Sequence, residues 1–292
     1  MPHAYDVKVD FYGDWISRLR NQLIEMNYQP AESSQDVCFQ YFNLQRRLTP
    51  SKPRNVLFSQ EFTCPKNLEP GLRLVKEKIE KGLDIKPHLS KLILDLNYHD
   101  DLLNDWGIHH LHLGIKMESN SDFIKRTGPV LFIRFDAQNA YFIDVMPHGS
   151  WAKQKMETSL HNNWPNSIER FRMKGAHSVS PQLTDNHIKQ LRKAHAVAFV
   201  EAEKGAVYGP IGMGYATSGH SIEVVRSCDF YSKRLRDYED YLKGNIGSLI
   251  KDIRNQGIEI GNVLHFCLGI EQNDVYAFEV NSRLFIKLGP LH

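Results

Sequence analysis

The sequence has 292 residues, with 36 lysines and arginines against 34 aspartates and glutamates, which gives a formal net charge of +2. Hydrophobic residues make up 41% of the chain and aromatic residues 11%. This composition excludes a disordered chain, a collagen-like chain and a histone-like polycation. At roughly 150 residues per domain, the length predicts about two domains. Histidine is the unusual residue, because its 14 copies are side chains that exchange protons near neutral pH.

The N-terminal residues and the cysteines indicate a cytoplasmic protein. Residues 1–14 contain no apolar stretch like that of a signal peptide, and no apolar run reaches the roughly 18 residues that a membrane span needs. The cysteines, which form no Cys-x-x-Cys pair, are Cys38, Cys64, Cys228 and Cys267. Their scatter favours reduced thiols over a zinc ribbon or a redox motif. We expect no membrane partner.

The first half of the chain predicts helices on either side of three consecutive strands. Apolar residues recur at helical spacing in several segments, Gly82 is a natural helix end, and Asp136 opens a turn between two strands. We predict helices at residues 14–27, 67–82, 88–97, 100–106 and 152–163. We predict strands at residues 5–12, 37–44, 55–62, 108–114, 129–136 and 139–146.

Residues 166–182 form an irregular connector, which is the predicted boundary between one domain at 1–165 and a second at 183–292. Beyond it we predict helices at 184–193, 221–243 and 245–255 and strands at 195–202, 262–270, 274–280 and 283–288. The glycine-rich segment 209–221 lacks the Gly-Lys-Ser/Thr of a phosphate-binding loop, which favours a tight turn followed by a capped helix. The expected fold class is α+β, with an antiparallel meander sheet flanked by helices, followed by a second α+β unit.

Six of the 14 histidines fall between residues 99 and 161, around the predicted meander. Side chains alternate faces along a strand, so His110 and His112 share one face. On the next strand, Arg134 belongs to the face opposite the one formed by Leu131, Ile133 and Phe135. His148 directly follows the third strand. These positions predict either an acid–base site, a two-histidine metal site completed by neighbouring ligands, or a histidine-bearing face without a chemical role.

The order of these elements, with the strands near 107–114, 127–135 and 140–148 followed by a lysine-bearing helix, resembles the core of RelE-type toxin endoribonucleases. The resemblance covers residues 88–164. It implies metal-free RNA cleavage by a toxin or defence effector, without a cofactor, and it allows an antitoxin or another protein as partner. In such a site His110 or His112 acts as base or acid with His148 as the second partner, and Arg126 and Arg134 stabilise phosphate charge.

Cationic residues suggest where a nucleic acid could bind. The loop at 46–54 has four cations and no acid, and two lysines open the helix after the meander. The predicted nucleic-acid-binding residues are Arg46, Arg47, Lys52, Arg54, Arg126, Lys153 and Lys155. Two other functions stay open: a non-catalytic module that binds nucleic acid or protein, and a metallohydrolase built on His110 and His112.

Overall fold

The computed structural model describes residues 5–255, 257 and 259–292. Residues 1–4, which belong to the segment 1–14 considered for a signal peptide, lie outside this range. The chain divides into two compact units, one made of Met1–Phe42 together with Val225–His292 and the other of Asn43–Val224. Helices and strands are both abundant and the sheets are mixed, so the predicted α+β class is confirmed.

The helices in the described residues are α1 (Phe11–Glu25), α2 (Ser34–Arg47), α3 (Glu69–Lys81), α4 (Asp101–Trp106), α5 (Lys155–Asn163), α6 (Pro165–Ile168), α7 (Asp185–Lys193) and α8 (Ile222–Asn255). The strands there are β1 (Asp6–Val9), β2 (Asn55–Phe58), β3 (Ile108–His112), β4 (Pro129–Phe135), β5 (Asn139–Pro147), β6 (Val200–Ala202), β7 (Ala206–Tyr208), β8 (Val263–Glu271), β9 (Asp274–Glu279) and β10 (Leu284–Pro290). Short 3-10 turns occupy Lys66–Leu68, Lys86–His88, Lys91–Leu94, Glu169–Phe171 and Glu203–Gly205.

The first unit joins the two ends of the chain in one sheet, with the strand order β1-β8-β9-β10. Strand β1 runs parallel to β8, and the other neighbours are antiparallel. Glu239 of α8 also accepts a hydrogen bond from the backbone N–H of Phe11, at 2.8 Å. This division differs from the predicted one, because the connector at 166–182 lies inside the second unit. A parallel pairing between chain ends leaves no local pattern in the sequence.

The second unit contains the predicted meander. Strands β3, β4 and β5 pair antiparallel, and β2 adds to β5 in parallel, giving the order β2-β5-β4-β3. Asp136 makes the turn between β4 and β5, where its Oδ1 accepts from the backbone N–H groups of Gln138 at 2.8 Å and Asn139 at 2.7 Å. These elements place the histidine-bearing strand β3 at the sheet edge.

His110, His112 and Arg134 share one face of the sheet, as the alternation predicts, and both faces of the sheet are buried. The register pairs His110 with Phe132 and His112 with Val130, and these apolar neighbours are fully buried. They pack in one cluster with Met156 of α5. His110 and His112 therefore lie next to a hydrophobic core, and the contacts of each side chain determine its chemical role.

Two predicted elements are wrong in type. Residues 37–44 belong to helix α2, and the buried positions Val37, Gln40, Leu44 and Arg47 recur at helical spacing. Residues 88–97 form 3-10 turns instead of a helix. The chain leaves the second turn at Asp95, whose Oδ1 accepts from a backbone N–H two residues on. Conversely, the two helices predicted at 221–243 and 245–255 are one continuous helix, α8.

Candidate active site

A cavity of about 460 Å³ in the second unit contains the candidate site. Five stretches of chain contribute to its wall: residues 90–92, residues 98–102, strand β3 through His110, the segment 148–152 after β5, and the last turn of α7. Arg126 completes the wall from the loop before β4. The cavity is of a size that holds one small organic ligand.

Trp151 brings two of the predicted catalytic histidines together. Its ring centroid lies 4.6 Å from that of His110 and 4.8 Å from that of His148. All three side chains line the cavity. His148 is exposed to solvent, whereas His110 is buried except where it meets the cavity. The third predicted histidine, His112, is 6.0 Å from His148 between ring centroids.

Burial favours the neutral form of the three histidines on β3. It lowers the pKa of His110, with the positive charges of nearby His148 and Arg126 as smaller causes and Asp100 opposing them. Burial also lowers the pKa of His109 to about 4 and that of His112 to about 3. His110 is therefore neutral at pH 7, which is the form that can accept a proton from a ligand.

His112 is a structural residue of this neighbourhood. It is 1% exposed, and its Nδ1 accepts from the backbone N–H of Thr127 at 3.2 Å. Its backbone carbonyl accepts from Nδ1 of the buried His88 at 2.9 Å. These bonds connect β3 to two neighbouring segments. The side chain of His112 does not line the cavity, so its role here is structural.

Positive charge dominates the cavity wall. The cationic residues that line it are Lys91, Arg126, Lys189, Arg192 and Lys193, against two carboxylates, Asp100 and Asp101. Lys91 also pairs with Glu118 at 2.5 Å, outside the lining. A cavity with this balance favours an anionic ligand.

Arg192 is the buried member of the cationic set. Its Nε donates to Asp105 Oδ2 at 2.7 Å, its Nη1 donates to the backbone carbonyl of Trp151, and its guanidinium lies 4.0 Å from the Trp106 ring. Glu157 lies nearby, and burial followed by the charge of Asp105 raises the pKa of its carboxyl well above the usual range. Arg192 thus anchors the segment that carries Trp151.

Arg134 lies away from this cavity. It pairs with Ile108 in the β3–β4 register, at the opposite end of β3 from His112. It is 6% exposed, and its guanidinium lies 5.9 Å from the ring of Tyr141. Arg134 therefore shares a sheet face with His110, but it does not line the cavity that contains His110 and His148.

The arginines of the predicted basic loop make structural contacts. Arg47 donates to the carbonyls of Leu92 and Asp95, and Arg54 donates to the carbonyls of Asp136 and Pro50. Both arginines are buried. Arg47 belongs to α2 instead of the predicted loop, and at both positions the guanidinium that was predicted to bind nucleic acid donates to backbone carbonyls.

Three of the five remaining predicted cations have a carboxylate partner. Arg46 donates to Asn104 Oδ1 at 2.6 Å and pairs with Glu223 at 2.8 Å. Lys153, which precedes α5, pairs with Asp185 at 3.0 Å, and Lys155, the first residue of α5, pairs with Asp144 at 2.6 Å. Lys52 is exposed, and Arg126 is the member of the set that lines the cavity.

Sequence reasoning missed the residues that α7 contributes. Lys189 and Lys193 lie four positions apart on that helix, a spacing that places them on one face and that is visible in the sequence. Trp151, three residues after His148, was also visible as an aromatic neighbour. What the sequence did not reveal is that α7 lies against the end of the meander.

The described residues contain neither a cluster of metal ligands nor a helix that could span a membrane. Across residues 5–255, 257 and 259–292, no group of three or more His, Cys, Asp or Glu side chains is arranged to hold a metal ion. In the same residues, every helix is too short or too polar to cross a membrane.

Comparison with known proteins gives no relative: no family model, no curated protein and no solved structure matches the chain.

Proposed function

We propose that the second unit cleaves RNA by general acid–base catalysis that needs no metal ion. The observation that carries this proposal is that His110 and His148 line one cationic cavity, both against the ring of Trp151. The reaction requires a base, an acid and a cation that stabilises phosphoryl charge, and two histidines and a guanidinium can fill these roles. Arg126 lines the same cavity and supplies the guanidinium.

The neutral His110 acts as the base. It takes the proton of a ribose 2′-hydroxyl, and the 2′-oxygen attacks the adjacent phosphorus. The bond from phosphorus to the 5′-oxygen breaks, and His148 gives a proton to that leaving oxygen. Arg126 stabilises the negative charge that develops on the phosphoryl oxygens. The products are a 2′,3′-cyclic phosphate and a 5′-hydroxyl, and water then returns the two histidines to their starting protonation states.

The environments of the two histidines support this division of roles. Burial lowers the pKa of His110, so the base is unprotonated at pH 7. His148 is exposed and can exchange its proton with water. A reaction that needs one neutral and one protonated imidazole has a bell-shaped pH dependence. We expect the acidic limb, which reports protonation of His110, to lie below the usual histidine pKa of about 6.5.

The test uses the purified full-length protein, a fluorescent RNA decamer and EDTA in the buffer. We expect cleavage to a cyclic phosphate, and a loss of about 100- to 10,000-fold in rate for His110→Gln and for His148→Gln. His265→Gln is the matched control, because that histidine is exposed in the first unit. Cleavage that both site variants leave unchanged would refute the proposal, as would activity that appears only with added divalent metal.

A non-catalytic nucleic-acid-binding module is the second candidate. Lys189 and Lys193, for which no ion pair is found within the described part of the chain, leave positive charge available to phosphates. This candidate predicts salt-dependent RNA binding without turnover in the same assay.

The toxin or defence role belongs to the proposal as its biological consequence. If the protein cleaves cellular RNA, its expression in bacteria should arrest growth, and His110→Gln should relieve the arrest at equal protein level. A protein antitoxin would then restore growth by blocking the cavity. Growth arrest that the His110 variant retains would separate toxicity from the catalytic proposal.

A further inference from the structure

We infer that the ligand of this cavity is single-stranded RNA, with one unpaired base stacked on Trp151 and neighbouring phosphates against Lys189 and Lys193. This inference rests on the proposed function, since it names the form of the RNA that the same cavity takes. Beyond cleavage, it specifies that the bound RNA is unpaired. It also gives binding roles to Trp151, Lys189 and Lys193, which have no part in the proposed proton transfers.

Trp151 is held as a fixed aromatic surface. It is half-buried, and its ring meets His110 and His148 and lies 5.5 Å from Phe132 between ring centroids. Its backbone carbonyl accepts from the buried Arg192. A rigid aromatic ring in the wall of a cationic cavity is the element on which single-stranded nucleic acids stack their bases, largely regardless of sequence.

The size of the cavity argues against a duplex. Its volume of about 460 Å³ is in the range of sites that bury a single small organic ligand, which suits one nucleotide. In a double helix the faces of a base are stacked on its neighbours, and a protein must extrude the base before it can bury it. An unpaired strand presents its bases without that cost.

Lys189 and Lys193 provide charge beside the stacking surface. They lie four residues apart in the last turns of α7, both line the cavity and both are exposed. Lys153 in the same unit, by contrast, pairs with Asp185 at 3.0 Å. Two ammonium groups at helical spacing, neither of them in an ion pair with another described residue, fit successive contacts to a phosphate backbone, where they act without reading sequence.

The experiment measures binding of a 2′-O-methyl RNA decamer, which lacks the nucleophilic 2′-hydroxyl and cannot be cleaved. Fluorescence anisotropy with the full-length protein compares the single strand with the same strand in a blunt duplex. We expect the single strand to bind at least tenfold more tightly. Trp151→Leu, which keeps an apolar side chain but removes the ring, should weaken binding by about 5- to 150-fold, and Trp151→Phe should largely preserve it.

The lysine contacts are tested by salt dependence. Each phosphate contact to a single strand contributes about 0.7 to the slope of log affinity against log salt. Lys189→Ala/Lys193→Ala should therefore lower the slope by about 1.4. The matched control is Lys66→Ala/Lys174→Ala, since both lysines are exposed in the same unit and lie outside the cavity wall. The control should leave the slope unchanged.

Three outcomes would overturn the inference: equal affinity for strand and duplex, less than twofold loss for Trp151→Leu with an unchanged circular dichroism spectrum, or an unchanged salt slope in the lysine variant. The same experiments distinguish a failure of the ligand assignment from a failure of the proposed catalysis. If the methylated strand binds through Trp151 but unmodified RNA is not cut, catalysis fails and the ligand assignment stands. If unmodified duplex is cut as fast as single strand, the ligand assignment fails and catalysis stands.

Discussion

Replacing Arg192 with methionine should destabilise the second unit by about 3–5 kcal/mol at pH 7. The side chains of Arg192 and Asp105 are 5% and 1% exposed and their ion pair is 2.7 Å long. Glu157, also 1% exposed, is near the same guanidinium. Removing one partner of a buried pair leaves an uncompensated charge, which costs that amount. The substitution also removes the contact with the Trp106 ring and the hydrogen bond to the Trp151 carbonyl.

The destabilisation should depend on pH. Burial raises the pKa of Asp105 and that of Glu157, so the folded state holds these protons more tightly than the unfolded state. Their contribution to stability is therefore present at low pH and is lost as pH rises from the unfolded value of about 4 through the folded pKa. Without the positive charge of Arg192 both pKa values rise further, so the deficit should be largest at pH 8 and smaller at pH 5.

Urea denaturation followed by far-ultraviolet circular dichroism at pH 5 and pH 8 measures this difference. The double variant Arg192→Met/Asp105→Asn is the control, because it removes both charges at nearly the same volume. It should regain at least half of the stability that the single variant loses at pH 8. A single variant that loses less than about 1 kcal/mol, or the same amount at both pH values, would refute the argument from buried charge.

Four further substitutions test the packing of the second unit and the buried carboxyl of Glu157. Gly71→Ala should lower the midpoint of urea unfolding, because its Cβ would lie 1.8 Å from the carbonyl oxygen of Leu113, whereas Gly128→Ala meets no atom within 4 Å and should be tolerated. Phe132→Ala should cost about 3–5 kcal/mol of unfolding free energy by urea titration, since it empties a fully buried site in the sheet. Glu157→Gln should raise stability at pH 8 and not at pH 4, because it removes a carboxyl whose pKa burial raises; equal effects at both pH values would contradict this.

The elements that sequence reasoning placed well are those with local causes. The turn at 136–139 is determined by Asp136, whose side chain accepts from the backbone N–H groups two and three residues further along the chain. Helix α3 ends at Gly82, whose φ of +68° suits a residue without a Cβ. The three strands of the meander have alternating or continuous apolar residues and short connections, so neighbouring residues determine them.

The elements that sequence reasoning misplaced depend on distant partners. Strand β1 obtains its hydrogen-bonding partner from β8 at the other end of the chain. Arg47 was expected to bind nucleic acid from a loop at 46–54, yet it lies in α2 and its guanidinium donates to carbonyls more than 40 residues away, at Leu92 and Asp95. A side chain that satisfies distant backbone groups has no signature in its own segment, because the cause lies in the tertiary fold.

The candidate site shows the same distinction within a single strand. Alternation correctly placed His110 and His112 on one face of β3, but it did not separate their roles. His110 contacts Trp151 and lines the cavity, whereas Nδ1 of His112 binds the backbone of Thr127. The two residues are neighbours on the same face of β3, yet of the two His110 alone lines the cavity. The histidine-rich segment contains the strand residue that lines the cavity, and the difference between His110 and His112 depends on the tertiary contacts of each ring.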